Sequence, residues 1–521
     1  AVINVMSGGT LSAGDVASGG TINVTSGSVA SGTIVSGGGT MAVSGTATAT
    51  TISSGGAVTV SSGGYLNTAT VLSTGVVTLL SGSVASGMNI YAGGTVNLGT
   101  YYNAKHAYAM QVHLGAINVL SGGVLSAGDV ASNGRINVSS GGSVTDTIVS
   151  GGGTLNTLAG GAVNSATIIS GGTLSAANGA LLSGQITVSA GGAELSGSLA
   201  SGAAMAVQGT ASATTILSGA TATVTSGGTI AEVTISNGGV VTAYSAGSIK
   251  SATIGSGGTL NYLSGASGSL NDLQAGGTFN LGAGFNTNHG THLSAVSGAV
   301  INVLSGGALG DGDVASGGTI TVNSGGGAFD VIVSGGGTVA VSGIISGTTL
   351  LSGGEATISS GGSSYSATIS SGAVFSILSG GTTSSTILSA GGTLNIGNTF
   401  RAIHNDNQTA SSGAVINVLS GGVLSAGDVA SNGRINVSSG GSTADTIVSG
   451  GGTLNISDGG AVDSATIISG GTLSAANGAL LSGQITVSAG GTELSGSLAS
   501  AAVMAVQGTA SATTILSGAT A

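Results

Sequence analysis

The 521-residue sequence contains no cysteine, proline or tryptophan, and aromatic residues make up only 2% of it. A globular core of this size normally uses many large aromatic and leucine side chains, so their scarcity disfavours an ordinary globular domain. The lack of cysteine is compatible with passage through an oxidising periplasm, because no unwanted disulfide can form there. No apolar run approaches the roughly 18 residues that a membrane-spanning helix needs, since Ser-Gly pairs interrupt every one.

Charge is equally scarce, with five Lys and Arg residues against 16 Asp and Glu, which gives a net charge of −11. This balance disfavours nucleic acid and anionic lipid as partners. It also disfavours a polysaccharide-cleaving groove, which normally carries carboxylates together with Lys or Arg. We therefore expect no enzyme, no cofactor and no insertion of this chain into a membrane.

What the sequence has instead is a short repeat: Ser-Gly-Gly recurs about every 18 to 20 residues from end to end. One repeat begins at Ser18 and the next at Ser36. Each contains an alternating run such as Thr21-Ile22-Asn23-Val24, which predicts a strand with its apolar residues inward. The pattern predicts an all-β fold, a right-handed parallel β-helix (β-solenoid) with about 18–20 residues per coil, interrupted by three protruding loops.

A longer period groups the coils, because Ile-Asn-Val-(Met/Leu)-Ser-Gly-Gly begins at Ile3, Ile117, Ile301 and Ile416. It predicts one continuous solenoid, 1–521, with modules 1–115, 116–299, 300–414 and a truncated 415–521. Both ends match internal positions, and neither shows a cap or a targeting signal. We expect the residues to be a window on a longer array.

Three segments, at about 99–115, 282–299 and 397–413, break the repeat and hold all five histidines. We predict protruding loops there, which either bind a partner or only brace neighbouring coils. The candidate interaction residues are Tyr101, Tyr102, Lys105, His106, Tyr108, His113, Phe285, His289, His292, Phe400, Arg401 and His404.

No metal site is predicted from these histidines. Zinc needs three or four converging ligands, whereas the first two loops are about nine coils, or roughly 43 Å, apart. Asp311-Gly-Asp313 resembles a carboxylate pair, but Asp15, Asp129 and Asp428 stand alone at the equivalent position, which favours a turn residue bonded to the backbone. The calcium-binding nonapeptide is absent from the sequence.

Asparagine recurs at the outward position between two apolar residues. Where such positions fall on adjacent coils, stacked amides are predicted to form hydrogen-bonded ladders. The residues concerned are Asn4, Asn23, Asn97, Asn118, Asn137, Asn280, Asn302, Asn395, Asn417 and Asn436.

The repeated Thr-Ile-Val-Ser-Gly-Gly-Gly-Thr-Leu-Asn pattern, as at residues 147–160 and 446–460, resembles the passenger repeats of self-associating autotransporters of the AIDA-I and antigen 43 type. The resemblance covers nearly the whole chain outside the three loops. It implies a right-handed β-helix on the outside of a Gram-negative cell, with adhesion and cell–cell aggregation as its role. It also implies secretion through a C-terminal β-barrel and, in some members, sugars on Ser and Thr.

Together these observations predict an extracellular structural and adhesive repeat protein of the bacterial cell surface. Its partner would be a second copy, laterally or end to end, or host or matrix glycans and proteins, with avidity arising from repetition. One alternative is a purely architectural surface-layer or matrix fibre. Another is an ice-binding solenoid, which is disfavoured because its flat array would need regularly spaced Thr, whereas outward positions here mix Thr, Asn, Ala and Ser.

Overall fold

A computed structural model describes residues 1–99, 110–284, 293–398, 409–410 and 412–521, with the side chains of 269–271 excepted. The described residues form strands and turns, with no helix among them. They divide into two compact units, residues 1–261 with 266–271, and residues 262–265 with 272–521. Both units are built from parallel β-solenoid coils, which confirms the predicted fold class; its right-handedness stays a prediction.

The coils stack because each strand pairs with its counterpart one coil later. Val2–Val5 pairs in parallel with Thr21–Val24, and each residue lies opposite the residue 19 positions further on. Ile22 and Val24 point inward and are at most 1% exposed. Burying such a side chain contributes about 1.5–3 kcal/mol, and a single coil cannot bury its own. The predicted columns of Ile and Val are therefore what joins the coils.

In the first unit, most coils contribute one strand to each of three columns, which we call stacks 1, 2 and 3. Stack 1 contains Val2–Val5, Thr21–Val24, Thr40–Val43, Ala57–Val60, Val76–Leu79, Thr95–Leu98, Ala116–Val119, Arg135–Val138, Thr154–Thr157 and Thr173–Ala176. Stack 2 contains Thr10–Ser12, Val29–Ser31, Thr46–Thr48, Tyr65–Asn67, Val84–Ser86 and Val124–Ser126. Stack 3 contains Asp15–Val16, Ile34–Val35, Thr51–Ile52, Thr70–Val71, Asn89–Ile90, Met110–His113 and Gly128–Ala131.

Some later strands of this unit are long enough to extend from one stack into the next. Others lie in a different stack from earlier strands of the same sequence type. They are Ser143–Val149, Ala162–Ile168, Leu181–Val188, Ala193–Leu199, Ala204–Val207, Thr210–Ile216, Thr221–Val224, Thr229–Ala231, Thr234–Ile235, Val240–Ala243 and Ser248–Ile254. Thr259–Tyr262 and Ser267–Leu273 contain residues of both units.

The second unit also contains three stacks, which are numbered anew within that unit by the same strand types. Stack 1 contains Thr278–Leu281, Val300–Val303, Thr319–Val322, Thr338–Val341, Glu355–Ile358, Val374–Ile377, Thr393–Ile396, Val415–Val418, Arg434–Val437, Thr453–Ile456 and Thr472–Ala475. Stack 2 contains Ala308–Gly310, Gly327–Phe329, Ile344–Ser346, Ser363–Tyr365, Thr382–Ser384 and Val423–Ser425. Stack 3 contains Leu293–Ala295, Gly312–Val314, Ile332–Val333, Thr349–Leu350, Thr368–Ile369, Ile387–Leu388, Thr409–Ala410 and Asp428–Val429. The remaining strands are Ser442–Val448, Ala461–Ile467, Leu480–Val487, Thr492–Leu498, Val503–Val506 and Thr509–Ile515.

Coil length varies through the turns while the strands stay in register. Thr40 lies opposite Ala57, only 17 residues later, because a two-residue turn, Ser44-Gly45, joins stack 1 to stack 2. A Cβ atom on Gly45 would collide with the backbone oxygens of Thr25 and Ser28 in the coil below. Glycine is therefore required there by close backbone approach.

The bend between stacks 2 and 3 depends on a single left-handed residue. Ala49, Thr68 and Asp146 occupy this position with φ of 51°, 53° and 52°. The left-handed conformation is unusual for residues other than glycine. Because it recurs in coil after coil, the bend is a regular part of the fold.

In each unit there is one point after which a given type of strand, recognised by its sequence, no longer lies in its usual stack. In the first unit, residues 186–188 pair with residues 166–168 in stack 3, although earlier strands of this four-residue type lie in stack 1. Residues 193–195 then continue stack 1, and Leu199 continues stack 2 above Leu182. The next four-residue strand, Ala204–Val207, again joins stack 3. We call this change the alignment shift.

The alignment shift coincides with a register irregularity. Asn164 lies opposite Ser183, 19 residues later, whereas Ala166 lies opposite Ile186, 20 residues later. The second unit repeats the shift, with Ala465 opposite Ile485 and residues 492–494 above 472–474. The one-residue irregularity and the alignment shift therefore occur in the same coil of both units.

Candidate functional site

A column of four asparagine side chains lies on the outward side of stack 1 in the first unit. Nδ2 of Asn118 donates to Oδ1 of Asn97 at 2.9 Å, and Asn137 donates to Asn118 at 2.9 Å. Asn156 donates to Asn137 at 3.5 Å, which is the weakest contact of the series. The predicted amide ladder is confirmed, and it includes Asn156, which the sequence analysis missed.

The second unit contains a matching ladder. Asn417, Asn436 and Asn455 each donate to the preceding asparagine at 2.9 Å, starting from Asn395. Asn395 itself donates to Ser376 Oγ at 2.9 Å. Shorter ladders join Asn23 to Asn4 at 2.8 Å and Asn302 to Asn280 at 2.7 Å.

Threonines form a second, less regular column two residues earlier on the same strands. The hydroxyls of Thr21 and Thr40 are 3.0 Å apart, and those of Thr319 and Thr338 are 3.1 Å apart. Val76, Ala116 and Arg135 interrupt the column in the first unit. The surface thus presents repeated amides beside a mixed column, at the coil spacing of about 4.8 Å.

Each amide in the interior of a ladder, such as Asn118 or Asn436, uses one N–H and one oxygen lone pair within the column. An amide group has two N–H donors and two acceptor positions, so each rung retains hydrogen-bonding capacity toward its surroundings. The ladder holds these groups in one orientation, which lowers the conformational entropy that ordering them in a contact would cost. Chemically, the surface can form many equivalent, weak, polar contacts.

Of the twelve candidate interaction residues, only His113 lies within the described residues. It ends the strand Met110–His113, and its ring stacks on Tyr91 with ring centroids 5.9 Å apart and an angle of 24° between the planes. His113 follows Val112, which pairs with Ile90 one coil below and with Val130 one coil above. This contact joins adjacent coils. The other eleven residues lie outside the described residues.

The ends of the three predicted loops belong to stack 3. The strands Met110–His113, Leu293–Ala295 and Thr409–Ala410 lie within the predicted loop spans and pair with the following coil. The irregular sequence in these spans therefore includes strands that continue the solenoid. The sequence feature that could have predicted the first of these strands is the alternation Met110-Gln-Val-His, which resembles the strands of the other coils.

The acidic residues of the predicted turn position are distributed along stack 3 and its preceding bend. Asp313 pairs with Ile332, as Asp15 pairs with Ile34 and Asp129 with Ile148. Asp311 occupies the left-handed bend with φ of 51°. Partial burial raises the pKa of Asp129. Within the described ranges, no three His, Cys, Asp or Glu residues are placed to hold a metal ion.

Two shallow cavities lie beside the alignment shift. One, of about 420 Å³, is lined by polar groups that include Asp445, Ser464 and Gln484. The other, of about 310 Å³, is lined by Ala176, Gly197 and neighbouring residues. No helix capable of spanning a membrane occurs in the described part of the chain.

Two buried glutamates were missed by the sequence analysis. Glu194 and Glu493 are both 0% exposed. Oε2 of Glu194 accepts a hydrogen bond of 2.6 Å from Thr214, and Glu493 accepts one of 2.6 Å from Thr513. Burial raises the pKa of Glu194 to about 8, while the Thr214 hydroxyl and the Ser212 backbone oppose the rise. The sequence could have indicated their burial, because each is the second residue of a strand, and in these alternating strands the second side chain points inward.

Comparison with known proteins gives structural matches of low sequence identity. No protein-family model matches the chain, and no curated protein matches it in sequence. A crystal structure of a TibC-catalyzed hyper-glycosylated TibA fragment is 18% identical, with 87% of this chain and 100% of that chain covered at a TM-score of 0.15. The PL6 family alginate lyase AlyGC is 11% identical, with 99% and 97% covered at a TM-score of 0.16. TM-scores this low carry no argument about function.

Proposed function

We propose that the chain is an extracellular structural and adhesive repeat protein of the bacterial surface, which mediates cell–cell or surface adhesion by multivalent self-association. The observation that carries the proposal is the pair of outward amide ladders, at Asn97 to Asn156 and at Asn395 to Asn455. A ladder presents the same polar group in consecutive coils. A partner with the same repeat can therefore make the same contact many times.

Repetition is what makes weak polar contacts sufficient. A single exposed hydrogen bond contributes only about 0.5–1.5 kcal/mol after its exchange with water. Once one contact between two repeat surfaces has formed, the next becomes an intramolecular event, and the avidity of the pair exceeds the affinity of any one contact. The resemblance of the repeat pattern to self-associating passenger domains supports the same assignment.

The charge distribution is compatible with association between copies of this chain. Charged residues make up only 4% of the sequence, so two outward faces can approach with little like-charge repulsion despite the net charge of −11. Five basic residues offer little attraction for nucleic acid or anionic lipid. A neutral polar surface of amides and hydroxyls is the partner that this chemistry favours.

A bead-aggregation assay tests the proposal. Beads coated with the full chain should aggregate as the coating density rises, and soluble chain should inhibit the aggregation. Lysines introduced on the outward side of stack 1 by Thr154→Lys and Thr173→Lys should reduce aggregation, because they place charge beside the amide ladder. Ser140→Lys and Ser170→Lys at exposed turns add the same charge elsewhere and serve as the matched control.

The outcomes separate the alternatives. Coated beads that stay dispersed at every density would contradict self-association. Equal loss of aggregation in both lysine pairs would indicate an effect of net charge and remove the ladder from the proposal. End-to-end filaments in electron micrographs, without lateral pairing, would favour the architectural fibre, and thermal hysteresis would favour the ice-binding solenoid.

A further inference from the structure

We propose that Glu194 and Glu493 form a pH-sensitive joint in their respective units. Each is held as a neutral carboxylic acid inside the coil that follows the alignment shift, and its ionisation loosens that coil. The proposal is independent of adhesion and concerns the stability of defined coils.

Glu194 occupies a position that is apolar in neighbouring coils. It is the second residue of Ala193–Leu199 and lies between Leu174 in the coil below and Ala211 in the coil above. All three side chains point inward, and Glu194 is 0% exposed. A carboxylate in such a column would lose its hydration without gaining a counter-charge, which is costly.

The surroundings supply little to stabilise a negative charge. Thr214 donates one hydrogen bond to Oε2 and the Ser212 backbone also favours the charged form, whereas Oε1 is buried without a hydrogen-bond donor in good geometry. The strands packed around the carboxyl group, Thr173–Ala176, Leu181–Val188 and Thr210–Ile216, contain no ionisable residue. Burial is accordingly the largest cause of the raised pKa of Glu194, about 8.

The carboxyl group nevertheless lies close to the surface. A Cβ atom built on Gly197 would be 3.3 Å from Oε1 of Glu194, and 3.0 Å from both Ala176 and Leu182. Gly197 and Ala176 also line the cavity of about 310 Å³. Little more than the backbone of Gly197 therefore separates the carboxyl group from this cavity. If the strand at Gly197 moved, a newly formed carboxylate would reach water over a short distance.

The second unit contains the equivalent residues in a more open setting, because the strand above Glu493, Thr509–Ile515, is mostly exposed. Glu493 lies between Leu473 and Ala510, is 0% exposed, and accepts a hydrogen bond from Thr513. Its Oε1 is likewise buried without a donor in good geometry, and burial raises its pKa. Residues 472–491 below it are identical in sequence to residues 173–192. The buried acid therefore occurs at the equivalent position of both copies.

The direction of the pH effect follows from the raised pKa. Between the ordinary glutamate value of 4.5 and about 8, the folded coil binds a proton that the unfolded coil has released. Stability contributed by this group is therefore full below about pH 4.5, declines as the pH rises toward 8, and is constant above that value. The local opening equilibrium should increase by up to about tenfold per pH unit within this window.

The test compares the full chain with the double variant Glu194→Gln and Glu493→Gln. Hydrogen–deuterium exchange, corrected for the intrinsic pH dependence of exchange, is measured at pH 5 and pH 9. Peptides covering residues 193–204 and 492–503 can be told apart because Ala193, Gly202 and Ala204 are replaced by Thr492, Ala501 and Val503. In the unmodified chain these coils should lose protection at pH 9, and in the double variant they should not.

Glu355→Gln is the matched control, because Glu355 is exposed on stack 1 and should leave the pH dependence unchanged. Equal pH dependence in the unmodified chain and the Gln variant would overturn the proposal. If the Gln variant does not fold, infrared spectroscopy of the unmodified chain decides. The carbonyl band of a protonated carboxyl group should persist at pH 6.5 and vanish by pH 10, and its absence at pH 6.5 would also overturn the proposal.

Discussion

Residues 121–222 and 420–521 are two copies of one segment that differ at only nine positions. Their strands and turns correspond and both contain the alignment shift, yet the two copies differ in how their buried hydroxyl groups are hydrogen-bonded. In the first copy, Thr147 and Thr157 are fully buried, and neither hydroxyl has a hydrogen-bond partner. In the second copy, neither position has an unpaired hydroxyl.

The second copy removes the two unpaired hydroxyls by different means. Thr446, the counterpart of Thr147, lies 2.6 Å from the hydroxyl of Thr443, where the first copy has Val144. Ile456 replaces Thr157 and is 3% exposed. An unpaired buried polar group costs about 1–3 kcal/mol. The comparison teaches that stacked coils tolerate such a local cost, because each coil depends mainly on its two neighbours.

The largest expected effect should be equal in the two copies. Leu155→Ala and Leu454→Ala each remove a fully buried side chain, from between Ile136 and Leu174 or between Ile435 and Leu473. Each should lower the local free energy of opening by about 2–5 kcal/mol. Exchange measurements on peptides covering 144–159 and 443–458, which differ in sequence, follow each copy separately. Unequal losses would show that the copies differ beyond their hydroxyl groups.

A smaller effect should make the second copy resemble the first. Thr443→Val leaves the Thr446 hydroxyl buried without its partner and should cost about 1–3 kcal/mol in the same exchange measurement. The double variant Thr443→Val and Thr446→Val should recover much of the loss, since both polar groups are then absent. A double variant as unstable as the single one would contradict this explanation.

The reverse change should improve the first copy. Thr157→Ile removes an unpaired buried hydroxyl at a position where the second copy already accommodates isoleucine between the same neighbours, valine below and alanine above. We expect a gain of about 1 kcal/mol, because the added carbon must still be packed. Decreased exchange in peptide 144–159, with 443–458 unchanged as the internal control, would confirm it.

The smallest effect concerns the surface. Asp463 in the second copy replaces Asn164 in the first, and both accept a hydrogen bond from a serine hydroxyl, at 3.2 Å and 3.4 Å. Asp463→Asn should change stability by less than about 0.5 kcal/mol, as exposed substitutions usually do. A larger change in thermal unfolding would show that this carboxylate has a structural role.

Much of this fold could be predicted because its rules are local. The alternation in Thr21-Ile22-Asn23-Val24 sets which side chains are buried, and the regular spacing sets which coils pair. The same logic located most of the amide ladder. It would have included Asn156 and Asn455 had every Thr-Leu-Asn been treated like Ile-Asn-Val.

The alignment shift could not be predicted in this way. Gln185-Ile186-Thr187-Val188 has the same alternation as a stack 1 strand, and nothing in those four residues indicates that they belong to stack 3. A one-residue register irregularity accompanies the change, and it becomes visible only when coils are paired in space. The buried state of Glu194 depends on the same pairing, since its neighbours Leu174 and Ala211 are set by the shifted register.

The outward column of stack 1 becomes hydrophobic in the coil that follows the alignment shift. Above Asn156 the outward column continues with Ser175 and then Leu195, which is 42% exposed; above Asn455 it continues with Ser474 and Leu494, 41% exposed. Each of the two four-rung ladders is therefore followed by one serine and then by a hydrophobic side chain. The length of each amide ladder is therefore fixed by the sequence. Adding modules would add whole four-rung ladders, so binding strength would rise by one ladder at a time and not by one rung at a time.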